Sequence, residues 1–137
     1  SSFEFNSFKS GIFSGGSSEE TTNLIFQTVP GSEKTFTLAK NSTLLVFASI
    51  LGVNLDINNT ASVEAAAYLD GQVVGTMLRL GGNLSSDHLS IASETSSMST
   101  VVAVNKGTHN MKLVWRNSRS GGTARIFDRS LSYLILN

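Results

Sequence analysis

The segment that most restricts the fold of this chain is the apolar run LLVFASIL, from Leu44 to Leu51. Successive residues of an extended strand point to opposite faces, so a strand with one face in water alternates between apolar and polar residues. This run has apolar residues at both even-numbered and odd-numbered positions, and so does the closing run LSYLIL, residues 131–136. Each of these strands therefore needs an apolar environment on both faces.

Two arrangements meet this requirement. In a two-layer sandwich the core between the sheets covers one face, and the other face needs a covering segment or another subunit. The N-terminal segment, which contains Phe3, Phe5, Phe8, Ile12 and Phe13, is one source of cover. We favour the alternative, an oligomer in which copies of the chain bury this outer face.

The rest of the sequence has the composition of strands and turns. Segments rich in β-branched and aromatic residues are separated by Gly, Asn, Asp and Ser clusters, and there is one proline. The alanine-rich segment 61–69 is the best candidate for a helix. Its alternation and the following Asp70–Gly71 turn favour a hairpin with residues 72–80 instead. We predict an all-β fold with eight or so strands in a sandwich or barrel.

The length of 137 residues predicts one domain overall. Within it we distinguish an N-terminal segment, residues 1–32, with a first strand and a polar loop, and the sandwich proper, residues 33–137. No apolar run approaches the length of a membrane span, so no membrane insertion is predicted.

Charge is unevenly distributed although the net charge is zero. Residues 106–137 contain six basic groups and one acid, whereas residues 1–105 contain four basic groups and nine acids. We expect the basic strands to pair with acids elsewhere in the fold or on a neighbouring subunit. Nucleic-acid binding is disfavoured, because aromatic residues are scarce in the basic third. Arg116 and Arg119 are retained as candidates for contacting a ligand.

The residues that most often perform catalysis or bind metals are few. There is no cysteine, no G-x-S-x-G motif and no zinc-ligand spacing, and the two histidines are His88 and His109. Asp87 and His88 are adjacent, so on a strand they would point apart and could not act as a base with its orienting acid. We keep this pair as ligand-binding candidates in a loop. The NLDINNT segment, 54–60, spaces oxygen atoms as calcium ligands would, but lacks the rest of an EF-hand and is interpreted as a polar turn. We predict no enzyme activity, metal or cofactor.

The last third of the chain resembles a known family of domains. The segments KGTHNMKLVWR (106–116), SGGTA (120–124) and FDRSLSYLIL (127–136) resemble the C-terminal part of C1q/TNF-like jelly-roll domains, especially bacterial and phage versions that cap collagen-like stalks or fibres. The resemblance covers roughly residues 33–136. It implies a ten-strand, two-sheet antiparallel jelly roll, a homotrimer in which the inner sheets meet at the axis, and no enzyme activity.

These observations together predict a jelly-roll sandwich of about 8–10 strands that forms a homotrimer. Its expected function is a non-enzymatic surface or fibre module that presents loops for attachment or receptor recognition, with a host-surface glycan or protein receptor as partner, on an extracellular surface or virion. The alternatives are a purely structural virion decoration or fibre-trimerising unit, and a carbohydrate-binding lectin. The predicted trimer-interface residues are Leu45, Phe47, Tyr68, Trp115, Tyr133 and Ile135, with core filling as the other interpretation of Trp115.

Overall fold

The computed structural model describes residues 13–14, 18–55, 61–81 and 94–136, which form strands and turns and, within these ranges, no helix. The segments whose composition favours strands do form strands in the described ranges, so the all-β prediction is confirmed. The described ranges contain ten strands: β1 (Phe13–Ser14), β2 (Glu19–Thr21), β3 (Gln27–Thr28), β4 (Lys34–Leu38), β5 (Ser42–Asn54), β6 (Val63–Leu69), β7 (Gln72–Leu80), β8 (Glu94–Val104), β9 (Gly107–Asn117) and β10 (Ala124–Leu136). In the described ranges no helix is long and apolar enough to cross a bilayer.

The strands form two antiparallel five-stranded sheets with jelly-roll connections. In sheet A, β1 and β2 both pair with β10, which is followed by β5 and then β8. In sheet B, β3 and β4 both pair with β9, which is followed by β6 and then β7. Because the chain changes sheets at most of its turns after β4, neighbouring strands come from distant parts of the sequence. The predicted two-sheet antiparallel sandwich is therefore the observed fold.

The core lies between the sheets, and alternate residues of β5 point into it. The even-numbered residues from Leu44 to Ile50 are buried in the core, and the odd-numbered residues Leu45 and Phe47 lie on the outer face of sheet A. On β10, the inward residues include Leu131 and Tyr133, which pair with Ala48 and Val46 of β5.

The hairpin predicted from Asp70–Gly71 is confirmed. β6 and β7 pair antiparallel on either side of this turn. Asp70 has φ 52° and Gly71 has φ 81°, so both turn residues have the positive φ that two-residue hairpin loops need. The left-handed conformation suits aspartate and glycine better than most residues.

A second glycine allows β7 to approach the opposite sheet. The register of the β6–β7 pair shifts between Ala65 and Ala67, and Gly75 on β7 has φ 72°. A Cβ atom at Gly75 would lie 2.6 Å from Sδ of Met98 on β8. The edges of the two sheets therefore come together on this side of the sandwich.

The N-terminal part contributes strands to both sheets. Phe13 pairs with Leu131 and Ser14 with Ser130, which places β1 beside β10 in sheet A. Of the N-terminal segment that was the alternative cover for sheet A, Phe13 lies in β1, and residues 1–12 lie outside the described residues.

Candidate binding surfaces

One half of the outer face of sheet A is apolar. Leu45 of β5 pairs with Val101 of β8 on one side and with Leu134 of β10 on the other, so three apolar residues form a row across three strands. Phe47 lies next to this row on the same face. Phe47 is 38% exposed and Val101 is 59% exposed, whereas Leu134 is buried. This half of sheet A therefore presents apolar side chains to the surroundings.

The other half of the same face is rich in serine. Ser49 of β5 lies between Ser97 of β8 and Ser130 of β10, and the hydroxyls of Ser49 and Ser130 are 2.8 Å apart. An open depression of about 400 Å³ lies at the boundary between the two halves. Its lining residues are Phe47, Ala48, Ser49, Ser97, Met98, Ser99 and Ser130. A partner on this face would meet apolar contacts beside a patch of hydroxyl groups.

The outer face of sheet B is apolar at its centre too, but the chain covers it. Ala66 of β6 pairs with Val114 of β9, and both are buried although they point away from the core between the sheets. The flanking residues Tyr68 and Arg116 both contact the ring of Phe26, from the loop between β2 and β3. The ring centroids of Phe26 and Tyr68 are 6.1 Å apart, and Arg116 Cζ lies 4.3 Å from the Phe26 centroid. Phe26 thus lies over the Ala66–Val114 pair as an intramolecular cover.

A buried carboxylate holds two arginines beside this cover. Glu64 of β6 is 4% exposed, and its Oε1 accepts a hydrogen bond from Arg116 Nε at 2.8 Å. Its Oε2 accepts a hydrogen bond from Arg79 of β7, whose side chain is 66% exposed. Because a buried carboxylate needs cationic partners, Arg116 functions here as a structural residue.

A second pair links the basic third of the chain to an acid near the N-terminus. Arg125 of β10 donates to Glu20 of β2, with Nε 2.6 Å from Oε2. Together with the Glu64 pair, this confirms the prediction that basic strands pair with acids elsewhere in the fold.

The turns at one end of the sandwich meet at His109. Its Nδ1 lies 2.6 Å from Asp70 Oδ2, and its Nε2 lies 2.7 Å from the carbonyl oxygen of Asn105. The other carboxylate oxygen of Asp70 accepts a hydrogen bond from the backbone N–H of Asn110 at 2.8 Å. An ionised Asp70 and the Asn105 carbonyl both accept hydrogen bonds, and the imidazolium form of His109 can donate to both of them at once.

The pKa values of His109 and Asp70 are shifted in opposite directions. The hydrogen bond to Asp70, then the one to the Asn105 carbonyl, raise the pKa of His109 above 6.5 against a smaller effect of burial. Burial acts to raise the pKa of Asp70, but hydrogen bonds from His109 and Asn110 outweigh it and hold the pKa below 3.8. Both groups are therefore charged over a common range of pH.

The predicted interface residues do not share one surface. Leu45 and Phe47 lie on the outer face of sheet A, whereas Tyr68 lies on the outer face of sheet B. Trp115 and Tyr133 belong to the core, and Ile135 packs against it. Tyr133 is 1% exposed, with its ring centroid 4.7 Å from that of Phe36. Trp115 and Tyr133 therefore serve the packing of the single chain, and an interface on sheet A retains Leu45 and Phe47.

The predicted ligand-binding residues are also separated. Asp87 and His88 lie outside the described residues. Arg119 is exposed in the turn between β9 and β10, apart from the Glu64 site that holds Arg116. In the NLDINNT segment, Asn54 is buried and its Nδ2 donates to Asn117 Oδ1 at 2.8 Å, while residues 56–60 lie outside the described part. Within the described ranges, no three His, Asp or Glu residues lie close enough together to hold a metal ion.

The roles of Phe26, Asp70 and His109 were not predicted from the sequence. The Asp70–Gly71 dipeptide indicated a turn. It did not indicate that the Asp70 carboxylate contacts His109, which is 39 residues away in the sequence. His109 lies two residues before Met111 on β9, so both side chains point to the same face of the sheet. Because Met111 is a core residue, this spacing indicated that the imidazole approaches the core.

Neither a protein-family model nor a curated protein matches the sequence. Among solved structures, Eiger TNF from S. frugiperda superposes with a TM-score of 0.51 at 11% identity, over 92% of this chain and 90% of that one. Dimeric latent PorU from Porphyromonas gingivalis gives a TM-score of 0.49 at 11% identity. The match covers 91% of this chain, which spans only 12% of the PorU chain. A carbohydrate-binding module, CBM36 in complex with calcium and xylotriose, gives 0.41 at 11% identity, over 96% and 99% of the two chains. At these identities the likeness concerns the fold alone, and the likeness to Eiger TNF supports the jelly roll.

Proposed function

We propose that the chain is a non-enzymatic assembly and recognition module, which forms a homotrimer through the outer face of sheet A and presents its loops to a partner on an extracellular or virion surface. The observation that supports this most directly is the apolar half of sheet A. Phe47 and Val101 are exposed there, beside Leu45 and Leu134. Burying a large apolar side chain completely contributes about 1.5–3 kcal/mol, so this row favours association.

The contrast between the sheets supports an intermolecular role for sheet A. On sheet B, the apolar pair Ala66 and Val114 is covered by Phe26 of the same chain. On sheet A, the described residues leave Phe47 and Val101 open. A standard interface buries about 800 Å² on each partner, close to a tenth of the 7109 Å² surface of this chain. The serine-rich half would form the polar part of such an interface.

The family resemblance supports three copies as the proposed number. Residues 33–136 resemble C1q/TNF-like domains, which assemble as homotrimers, and the fold is similar to that of Eiger TNF. The absence of catalytic motifs in the sequence supports a role in binding rather than catalysis. In the described part, His109 has both ring nitrogens engaged and is not available as a general base.

Sedimentation velocity and mass photometry at micromolar concentration test the assembly. We expect a species with three times the mass of one chain. Val101→Lys should convert it to monomer, because a lysine cannot be buried in the apolar row without a partner. Ile25→Lys is the matched control, since Ile25 is 77% exposed in the β2–β3 loop and does not belong to the apolar row of β5, β8 and β10, and this variant should remain trimeric. A wild-type chain that stays monomeric, or equal effects of the two lysines, would contradict the proposal.

A glycan array and a cell-binding assay with the assembled protein test recognition. We expect reproducible binding that saturates with concentration. Binding to defined glycans would assign the lectin function, and binding to cells that survives removal of glycans would indicate a protein receptor. Without binding in either assay, the recognition part fails and a purely structural unit remains.

A further inference from the structure

The strongest unassigned feature of the molecule is the hydrogen-bond network at the end of the sandwich where the tight turns meet. The turn between β6 and β7 provides Asp70, and the turn between β8 and β9 provides the Asn105 carbonyl. His109, near the start of β9, joins the two. Since β8 belongs to sheet A and β6, β7 and β9 belong to sheet B, one imidazole connects a hairpin of one sheet to the connection between the sheets.

Further hydrogen bonds extend this network to the neighbouring turns. The backbone N–H of Lys106 donates to Asn41 Oδ1 in the β4–β5 turn at 2.8 Å. The backbone N–H of Asp70 donates to the carbonyl oxygen of Asn110 at 2.8 Å, and Asn110 Nδ2 donates to Glu33 Oε2 at 2.9 Å. His109 also packs against Phe36, with ring centroids 5.8 Å apart, so the network closes this end of the core.

From this geometry we infer that His109 and Asp70 form a pH-dependent clasp, which fastens the β6–β7 turn to the β8–β9 turn while the imidazole is doubly protonated and releases it when one proton is lost. A neutral imidazole has a single N–H, so it cannot donate to both Asp70 and the Asn105 carbonyl. At one of the two contacts, the deprotonated ring nitrogen of His109 then faces an oxygen atom that also only accepts hydrogen bonds. Loss of either contact frees a turn and uncovers the edge of Phe36.

The pH range of the clasp follows from the directions in which its two groups shift. The pKa of His109 is raised, so its contribution is complete below 6.5, the value for an unfolded chain, and is lost as pH rises through the higher folded value. The pKa of Asp70 is lowered, so its contribution is present above 3.8 and is lost as pH falls through the lower folded value. The clasp is therefore closed in acidic to near-neutral solution and opens on the alkaline side.

The ionisable groups around His109 are consistent with this assignment. Asp70 is the acid in direct contact with the imidazole. Glu33 is bound to Asn110 and adds a second negative charge nearby. The lysines of the adjoining β4 strand and β8–β9 turn are exposed, and the one phenol behind Phe36 belongs to the core. These last groups are Lys34, Lys106 and Tyr133.

NMR titration of the full chain tests the clasp, with the urea-unfolded chain for comparison. We expect His109 to titrate at higher pH in the folded chain than in the unfolded chain. Hydrogen-exchange protection of the amides in residues 70–71 and 105–110 should fall as pH passes through the His109 pKa. Each unit by which the folded pKa exceeds the unfolded value corresponds to roughly a tenfold difference in protection.

Two variants and a control separate the clasp from general effects on folding. Asp70→Asn tolerates the left-handed turn and keeps an acceptor for Asn110, but should lower the His109 pKa towards 6.5. His109→Gln should give low turn protection that no longer depends on this ionisation. Asp128→Asn, at an exposed position on β10, should leave the His109 pKa unchanged. The inference is overturned if His109 titrates in the folded wild-type chain at or below its value in the unfolded chain, or if turn protection is constant through its titration.

Discussion

Glu64 and Arg116 lie opposite each other on β6 and β9, and Glu64 Oε1 accepts the Arg116 Nε hydrogen bond at 2.8 Å. The guanidinium also lies over the ring of Phe26, so one arginine satisfies a buried carboxylate and fixes an aromatic cover. Sheet B closes its outer face in this way with its own side chains. Sheet A, which lacks a comparable cover among the described residues, is the face that we assign to assembly.

Glu64→Gln should destabilise the fold by about 2–3 kcal/mol, because the substitution leaves two guanidinium groups without the carboxylate that neutralises them. The value is below that for a fully buried pair, since Arg79 is largely exposed. Urea unfolding measures the change. Glu20→Gln, which removes the exposed partner of Arg125, should cost at most about 1 kcal/mol. Equal losses for the two variants would contradict the structural role of Glu64.

Gly122→Ala should destabilise the fold by about 2 kcal/mol or more, because there is no room for a methyl group. A Cβ at this position would lie 2.5 Å from Asn54 Oδ1 and 2.8 Å from Ala61 Cβ. Asn54 cannot easily move, because its amide nitrogen donates to Asn117 Oδ1 and to the Ser62 carbonyl.

Gly121→Asn is the matched control for this site. Gly121 has φ 96°, and among the described residues no atom lies within 4 Å of the point that a Cβ would occupy. Asparagine tolerates positive φ better than alanine, so its cost in thermal unfolding should be about 1 kcal/mol or less. A cost for Gly121→Asn above that for Gly122→Ala would show that backbone conformation, rather than space, controls this turn.

Local patterns in the sequence were sufficient for the strands and for one hairpin. The apolar run of β5 correctly predicted a strand with apolar residues on both faces, and Asp70–Gly71 correctly placed the β6–β7 turn. Alternation was not sufficient to assign the inward face of β5 or of β10, because both faces of each strand are apolar. The pairing of Leu131 with Ala48 decides that Tyr133 points inward, and this register depends on tertiary contacts.

The candidate sites were harder to predict, because their partners are far apart in sequence. Glu64 binds Arg79, which is 15 residues away in the sequence, and Arg116, which is 52 residues away. A single glutamate on an alanine-rich strand signals neither partner. The sequence likewise indicated that two strands need cover on a second face, but not that Phe26 supplies such cover to β6.

The pH dependence of global stability should show a decline on the alkaline side that His109 causes. Because its folded pKa is raised, stability should decrease as pH rises from 6.5 through that value. Thermal unfolding measured across this range should give a smaller decline for His109→Gln than for the wild-type chain. Identical pH profiles for the two proteins would show that His109 contributes nothing to the decline.

Phe26→Ala should both destabilise the chain and change its association. The half-buried ring covers Ala66 and Val114, so its removal should cost about 2 kcal/mol, less than the loss of a core phenylalanine. The uncovered face of sheet B should then promote association beyond that of the wild-type protein, visible as larger species in sedimentation velocity. Leu24→Ala, in the same loop but on an exposed side chain, should change neither property. If Phe26→Ala leaves stability and mass distribution as in the wild type, the outer face of sheet B does not depend on this ring, and the contrast with sheet A loses its physical basis.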